Sequence, residues 1–218
     1  MLQLWHCENA RSFRALWALE ELGLDYELKM LPFPPRAHDK SYFAENPLGT
    51  IPLLVDGETR MTESSAIAHY LATRHGNGRF AVGPDHTEYG AYLNWLHHGE
   101  ATLTFPQTLV LRYGFMEPPE RRLPQAAEDY AAWFLARLRL LEGTLEDGRD
   151  FLLHSGFSMA DISVGYAIQL AHTIRLRDRL PPNTLAWYDR LTTREAHGRA
   201  RAAEQAARDA AGIPPLRF

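Results

Sequence analysis

Residues 46–65 read NPLGTIPLLVDGETRMTESS, and this stretch decides the fold of the first part of the chain. An X-Pro bond is held cis at little cost and then usually marks a tight turn, so Ile51 and Pro52 predict a turn. The apolar run at 53–55 predicts a strand, and the Asp-Gly pair at 56–57 predicts a hairpin. The stretch therefore predicts a turn, a β-hairpin and then a helix.

The same stretch offers groups that suit a peptide-like ligand. A cis bond before Pro52 leaves the N–H and C=O of Ile51 at the mouth of the sheet, where they can pair with an extended peptide as one more strand. Glu63 and Ser64 open a helix, and the N–H groups at a helix start favour anions. Taken alone, each of these features is explained by a turn or a helix cap. The order and spacing of the features together favour a ligand site.

The segments around this stretch alternate between strands and helices. Residues 1–5 and 26–31 predict strands, and residues 12–22 predict a helix that ends at Gly23. Residues 40–45 predict a short helix. A βαβ unit followed by ββα is a thioredoxin-like arrangement.

The rest of the chain is helical nearly throughout. We predict a thioredoxin-like domain over 1–76, a glycine-rich linker over 77–86 and an all-helical domain over 87–218. The fold class is thus α/β followed by all-α. Helices are predicted over 88–114, 124–148, 158–177, 185–194 and 199–211.

Two of the helices have distinct compositions. Residues 162–171 are apolar on most faces, which predicts a core helix. Ser158 and Asp161 form a capping box at its start, so loss of the Asp161 carboxylate should cost about 1 kcal/mol or more. The alanine-rich run 200–211 is interleaved with charged residues and predicts a solvated helix.

Composition limits the classes of function. A hydrophobic content of 45% and a charged content of 23% are ordinary for a soluble protein, and a net charge of −4 disfavours a nucleic-acid surface. The single cysteine, Cys7, excludes an internal disulfide and fits a reducing cytosol. We expect no signal peptide, no membrane span and a cytoplasmic location. No metal-binding motif or phosphate loop is present, so no metal is expected.

The stretch 46–65, the capping box and the order of elements resemble the glutathione S-transferase family over nearly all of the chain. The resemblance implies a transferase that activates the thiolate of glutathione, its cosubstrate, for attack on a hydrophobic electrophilic small molecule. It also implies a cytoplasmic homodimer that binds neither nucleic acid nor membrane. The helical domain would hold the electrophile pocket, with Phe105, Arg112, Tyr113 and Phe115 as wall candidates.

The resemblance also assigns the glutathione-binding residues. Ser64 and its N–H would hold the γ-glutamyl carboxylate, and Glu63 would hold the amino group. Glutathione would lie along the edge formed by Ile51 and Pro52. His38 falls in the loop where relatives place a group against the glycine carboxylate.

Three residues of the first strand-to-helix turn are candidates to contact the thiol. The position where the family usually carries Ser or Cys falls on Asn9, as in a subset of bacterial and fungal members, and residues 92–100 resemble that branch. Asparagine donates through its NH₂ group but cannot act as a base. Ser12 is the second candidate, with a helix N-cap as its alternative role. Cys7 is the third, with packing as its alternative.

Two other functions remain open at this stage. A glutathione-dependent disulfide-bond oxidoreductase is compatible with Asn9, because such a site needs no strong base. A non-catalytic binding protein on the same scaffold is the second alternative. The pair of Glu63 and Ser64 argues against it, because a scaffold that no longer binds glutathione has no need of both groups.

Overall fold

The computed structural model describes residues 1–216, which divide into two compact units. Within the described residues, the first unit combines Met1–Ala81 with residues 192–216, and the second unit is Val82–Leu191. The division between residues 81 and 82 falls inside the predicted linker, 77–86. The sequence predicts that residues 87–218 form the helical domain, whereas the last helix packs with the first unit.

The first unit contains a four-stranded sheet within the described residues. Its strands are β1 (Leu2–His6), β2 (Tyr26–Met30), β3 (Leu53–Asp56) and β4 (Thr59–Met61), in the order β2-β1-β3-β4. Strand β1 is parallel to β2 and antiparallel to β3, and β3 is antiparallel to β4. This topology confirms the thioredoxin-like prediction.

The α-helices follow in chain order through both units. They are α1 (Phe13–Leu22), α2 (Pro35–His38), α3 (Ser64–Arg74), α4 (Tyr89–His97), α5 (Phe105–Leu111), α6 (Pro124–Leu145), α7 (Met159–Thr173), α8 (Pro182–Thr192) and α9 (Glu195–Ala210). Single-turn or π-helical segments cover Lys40–Ala44, His98–Thr104, Arg112–Met116, Pro119–Arg121 and Arg177–Arg179. The second unit is thus helical, as predicted.

Local sequence features account for the turns that hold the sheet together. Gly23 ends α1 in the left-handed region, with φ of 68°, and its N–H bonds back to Glu20 O. Gly57 has φ of 58° between β3 and β4, which confirms the hairpin expected there. Glycine fits both positions because a Cβ would make a positive φ costly.

Helix α7 forms the core of the second unit, as its composition predicted. Every residue from Met159 to Ala171 is buried. Gly99 lies against α7 so closely that a Cβ there would come within 2.4 Å of Ser163 Oγ, so only glycine fits. The capping box is also confirmed: Ser158 Oγ accepts from Ala160 N at 3.3 Å, and the Asp161 carboxylate accepts from Ser158 N at 2.9 Å.

Helix α9 corrects the expectation of a solvated helix. It packs against α1 and β2 of the first unit. Its inner face buries Ala196, His197, Ala200 and Glu204. Its arginines also bond to the first unit, Arg199 to Glu20, Arg201 to Asn9 and Arg208 to Glu8. Gln205 and Asp209 are exposed, so the mixed composition reflects a two-sided helix.

Within residues 1–216, no helix combines the length and the apolar character needed to cross a bilayer.

Candidate functional site

The turn between β1 and α1 places Asn9 at the end of the sheet. Asn9 has φ of 55°, in the left-handed region that asparagine tolerates better than most residues. The Ala10 N–H bonds to Cys7 O at 3.2 Å and closes the turn. The Asn9 side chain is half-buried. Of the three residues proposed to contact the thiol, only Asn9 has a side chain that is partly exposed.

Two side chains of α9 hold Asn9, and the sequence did not predict either. The Asn9 N–H donates to Glu204 Oε1 at 2.8 Å, and Arg201 Nη1 donates to Asn9 Oδ1 at 2.7 Å. These partners lie nearly 200 residues away along the chain, so no local pattern could have revealed them.

Ser12 and Cys7 lie behind this turn, enclosed by the fold. Ser12 is fully buried, and its Oγ accepts from the Cys7 N–H at 3.3 Å. The Ser12 side chain makes no capping bond to α1, so the alternative role as a side-chain N-cap is not observed. Cys7 is fully buried as well, and burial raises the pKa of its thiol. Such a thiol is a poor nucleophile because little thiolate forms.

The Ile51–Pro52 bond is cis, and the segment lies beside the end of β1. Strand β3 begins at Leu53, which pairs with Trp5 in an antiparallel register, so Ile51 falls opposite the chain just beyond β1. Ile51 packs in one core cluster with Cys7. The fold therefore brings Ile51, Pro52 and the turn of Asn9 to the same end of the sheet.

The loop before Ile51 is held by two residues that the sequence did not single out. Asn46 is buried, and its Nδ2 donates to Thr50 O at 2.7 Å. The Tyr42 hydroxyl donates to the same oxygen at 2.8 Å. These bonds fix the backbone that leads into the cis bond. An Asn-Pro pair ahead of a glycine was a turn pattern that could have pointed to Asn46.

Glu63 and Ser64 stand at the start of α3, as expected. Glu63 is the extended residue before the helix and its side chain is exposed. Ser64 is the first residue of the helix and is 3% exposed. Arg14 is fully buried, and its Nη1 donates to Ser64 Oγ at 3.1 Å. An arginine on the otherwise apolar face of α1 was the feature that could have indicated this contact.

His38 is the last residue of α2. Its side chain is exposed and lines a cavity of about 290 Å³ with Glu8, Phe33 and the segment 213–216. The backbone N–H of Leu216 donates to Glu8 Oε2 at 2.6 Å. This segment of the C-terminal chain therefore lies against the loop that carries His38.

In the described part of the chain, His, Cys, Asp and Glu side chains form no group of three or more that could hold a metal ion.

The residues proposed as walls of the electrophile pocket lie in the second unit. Phe105 is 50% exposed and packs edge-on against Trp133, with ring centroids 6.2 Å apart. Arg112 lies over the ring of Tyr113. Their contact with a second substrate stays a prediction.

Comparisons with known proteins agree with this fold. A family model for the N-terminal domain of glutathione S-transferase matches residues 10–74. The chain is 32% identical over 203 residues to glutathione S-transferase GstB of Escherichia coli (strain K12), covering 90% of this chain and 95% of that protein. The chain therefore belongs to the glutathione S-transferase family.

Solved structures match the fold at lower identity. A glutathione transferase from Methylococcus capsulatus is 22% identical, with a TM-score of 0.82 over 94% of this chain and 100% of that one. Glutathione transferase URE2P6 from Phanerochaete chrysosporium, solved with oxidized glutathione, is 24% identical, with a TM-score of 0.80 over 94% of this chain and 97% of that one. The relatives of 30% identity or more that are named glutathione S-transferases support glutathione transferase activity, ahead of a disulfide reductase or a non-catalytic binding protein.

Proposed function

We propose that the chain binds glutathione at the sheet end formed by Ile51, Glu63 and Ser64, and that Asn9 stabilises its thiolate. The position of Asn9 carries this proposal, because the side chain is partly exposed at that end while Ser12 and Cys7 are buried. Ser12 then supports the turn by accepting the Cys7 N–H. Asparagine at this position also supports membership of the bacterial and fungal branch of the family.

The chemistry follows from the acidity of a thiol. A free thiol has a pKa of about 8.5 and is mostly protonated at neutral pH. A hydrogen bond to a charged group contributes roughly 1.5–3 kcal/mol, which lowers the pKa of the thiol by about one to two units. The proton passes to water, because an amide cannot accept it. The thiolate sulfur then bonds to the electrophilic carbon, and the leaving group departs with its electron pair.

The ends of glutathione meet groups of opposite charge. The exposed Glu63 carboxylate would pair with the amino group, while Ser64 and the first turn of α3 would hold the γ-glutamyl carboxylate. Buried Arg14, bonded to Ser64 Oγ, adds positive charge beneath that carboxylate. His38 would approach the glycine carboxylate. The electrophile, the homodimer and the cytoplasmic location complete the proposal by analogy with the family.

Replacing Asn9 with alanine should raise the pKa of enzyme-bound glutathione by about one to two units. The thiolate absorbance, titrated against pH with saturating glutathione, measures this directly. The matched control is Asn77→Ala, because Asn77 is exposed and has φ of 52°, close to the 55° of Asn9. Both variants therefore place alanine in a left-handed backbone, and only one removes the proposed donor. An unchanged thiol pKa in Asn9→Ala would refute the role of Asn9.

Replacing Glu63 with glutamine should weaken glutathione binding about tenfold, because a charge-assisted hydrogen bond to the ammonium is lost. Calorimetric titration gives the dissociation constant, with Glu58→Gln, an exposed glutamate in the nearby hairpin, as control. A glutathione analogue without the amino group should bind the wild type and Glu63→Gln equally. If Glu63→Gln discriminates between the analogue and glutathione as strongly as the wild type does, another residue holds the amino group.

A further inference from the structure

Helix α9 inserts a buried carboxylate beneath the turn that carries Asn9. Glu204 is 2% exposed, and its Oε1 accepts from the Asn9 N–H at 2.8 Å and contacts His6 Nε2 at 3.0 Å. Its Oε2 accepts from Arg201 Nη1 at 2.6 Å. His6 is fully buried, and its Nδ1 has no hydrogen-bond partner among residues 1–216, which fits Nε2 as the protonated nitrogen that donates to Glu204.

The contacts close a ring around Asn9. Glu204 fixes the backbone of Asn9 through its N–H, and Arg201 Nη1 bridges Glu204 Oε2 and Asn9 Oδ1. Arg201 and Glu204 are three residues apart on α9 and therefore share one face of the helix. One helix thus contacts both the main chain and the side chain of the proposed thiolate donor.

Glu204 is charged in this setting. Burial opposes its ionisation, but the hydrogen bond from His6, the charge of Arg201 and the Asn9 N–H hold its pKa below the usual range. The carboxylate therefore neutralises Arg201 locally. This pairing leaves Arg201 little net charge to act on a nearby thiolate, so the main effect of Arg201 is to orient the Asn9 side chain.

We infer that Arg201 is a positioning residue, held by Glu204, which orients the Asn9 carboxamide so that its NH₂ group is the end offered to the glutathione thiolate. This inference rests on the proposed function of Asn9. The terminal torsion of asparagine is broad and roughly two-fold, so an unguided carboxamide also presents its oxygen. An oxygen facing a thiolate repels it. A donor that is hydrogen-bonded to Oδ1 keeps this oxygen turned away from the thiolate.

The variant Arg201→Met should raise the pKa of enzyme-bound glutathione by about one unit, the size expected when a hydrogen bond to a charged group is weakened. Arg201→Lys keeps a donor and should restore part of the shift. The matched control is Arg199→Met. Arg199 lies on the same helix and bonds Glu20 Oε2 at 2.9 Å, away from Asn9, so its loss should leave the thiol pKa unchanged.

A double-mutant cycle separates positioning from a direct effect of charge. In the Asn9→Ala background, Arg201→Met should have no further effect on the pKa of bound glutathione. The inference is overturned if Arg201→Met shifts that pKa equally with and without Asn9, or leaves it unchanged while Asn9→Ala raises it. If Asn9→Ala itself has no effect, the proposed function fails and the inference fails with it. The single Asn9 variant thus distinguishes the two failures.

Discussion

Replacing Asp161 with alanine should lower the free energy of unfolding by about 3 kcal/mol, well above the cost expected from a cap alone. The fully buried carboxylate accepts from Leu152 N at 2.9 Å, from Ser158 N at 2.9 Å and from Ser158 Oγ at 3.1 Å. Burial raises the pKa of Asp161 to about 6, so the group is still ionised at pH 7. Alanine leaves two buried N–H groups without their acceptor, at about 1–3 kcal/mol each.

Urea or thermal unfolding measures this loss, which corresponds to a fall in Tm of about 6–12 °C for a chain of this size. The control is Asp150→Ala, which also removes an aspartate from the second unit. Asp150 has a side chain 70% exposed and pairs with Arg190 at 3.4 Å, so its loss should cost less than about 1 kcal/mol. Equal losses in the two variants would show that the buried bonds of Asp161 contribute no more than an exposed ion pair.

The sequence predicted the features that depend on neighbouring residues. The capping box spans four residues, and the hairpin glycine and the C-terminal glycine of α1 each lie within one turn of the element they end. The stretch from Ile51 to Ser64 likewise combines a turn, a hairpin and a helix start that each depend on neighbouring residues. Such patterns involve residues only a few positions apart, so the local backbone geometry can be predicted without knowing the rest of the fold.

What the sequence missed depends on partners that are distant along the chain. Glu204 meets His6 across 198 residues and Asn9 across 195, so its burial cannot be inferred from the alternating charges around it. Ser12 stood where an N-cap or a thiol donor was expected, yet the fold turns its hydroxyl inward to the Cys7 N–H. Arg14 lies among the buried apolar residues of α1, and its link to Ser64 spans 50 residues.

Replacing Arg14 with methionine should weaken glutathione binding at least about tenfold, because a charge-assisted hydrogen bond to Ser64 Oγ and a buried positive charge are both lost. Methionine is unbranched and flexible and can fill the space, which limits the cost in packing. Calorimetric titration gives the dissociation constant, and a melting curve reports whether the variant is folded. The control is Arg74→Met, at the exposed far end of the same helix α3 that begins at Ser64.

The route of this effect is tested by removing Ser64 as well. If Arg14 acts by orienting the Ser64 hydroxyl, the loss of affinity in Arg14→Met should shrink when Ser64→Ala is already present. If it acts only as a buried charge beneath the ligand carboxylate, the two losses should add. A folded Arg14→Met variant that binds glutathione as tightly as the wild type would contradict both routes, and it would separate the α1–α3 contact from the glutathione site.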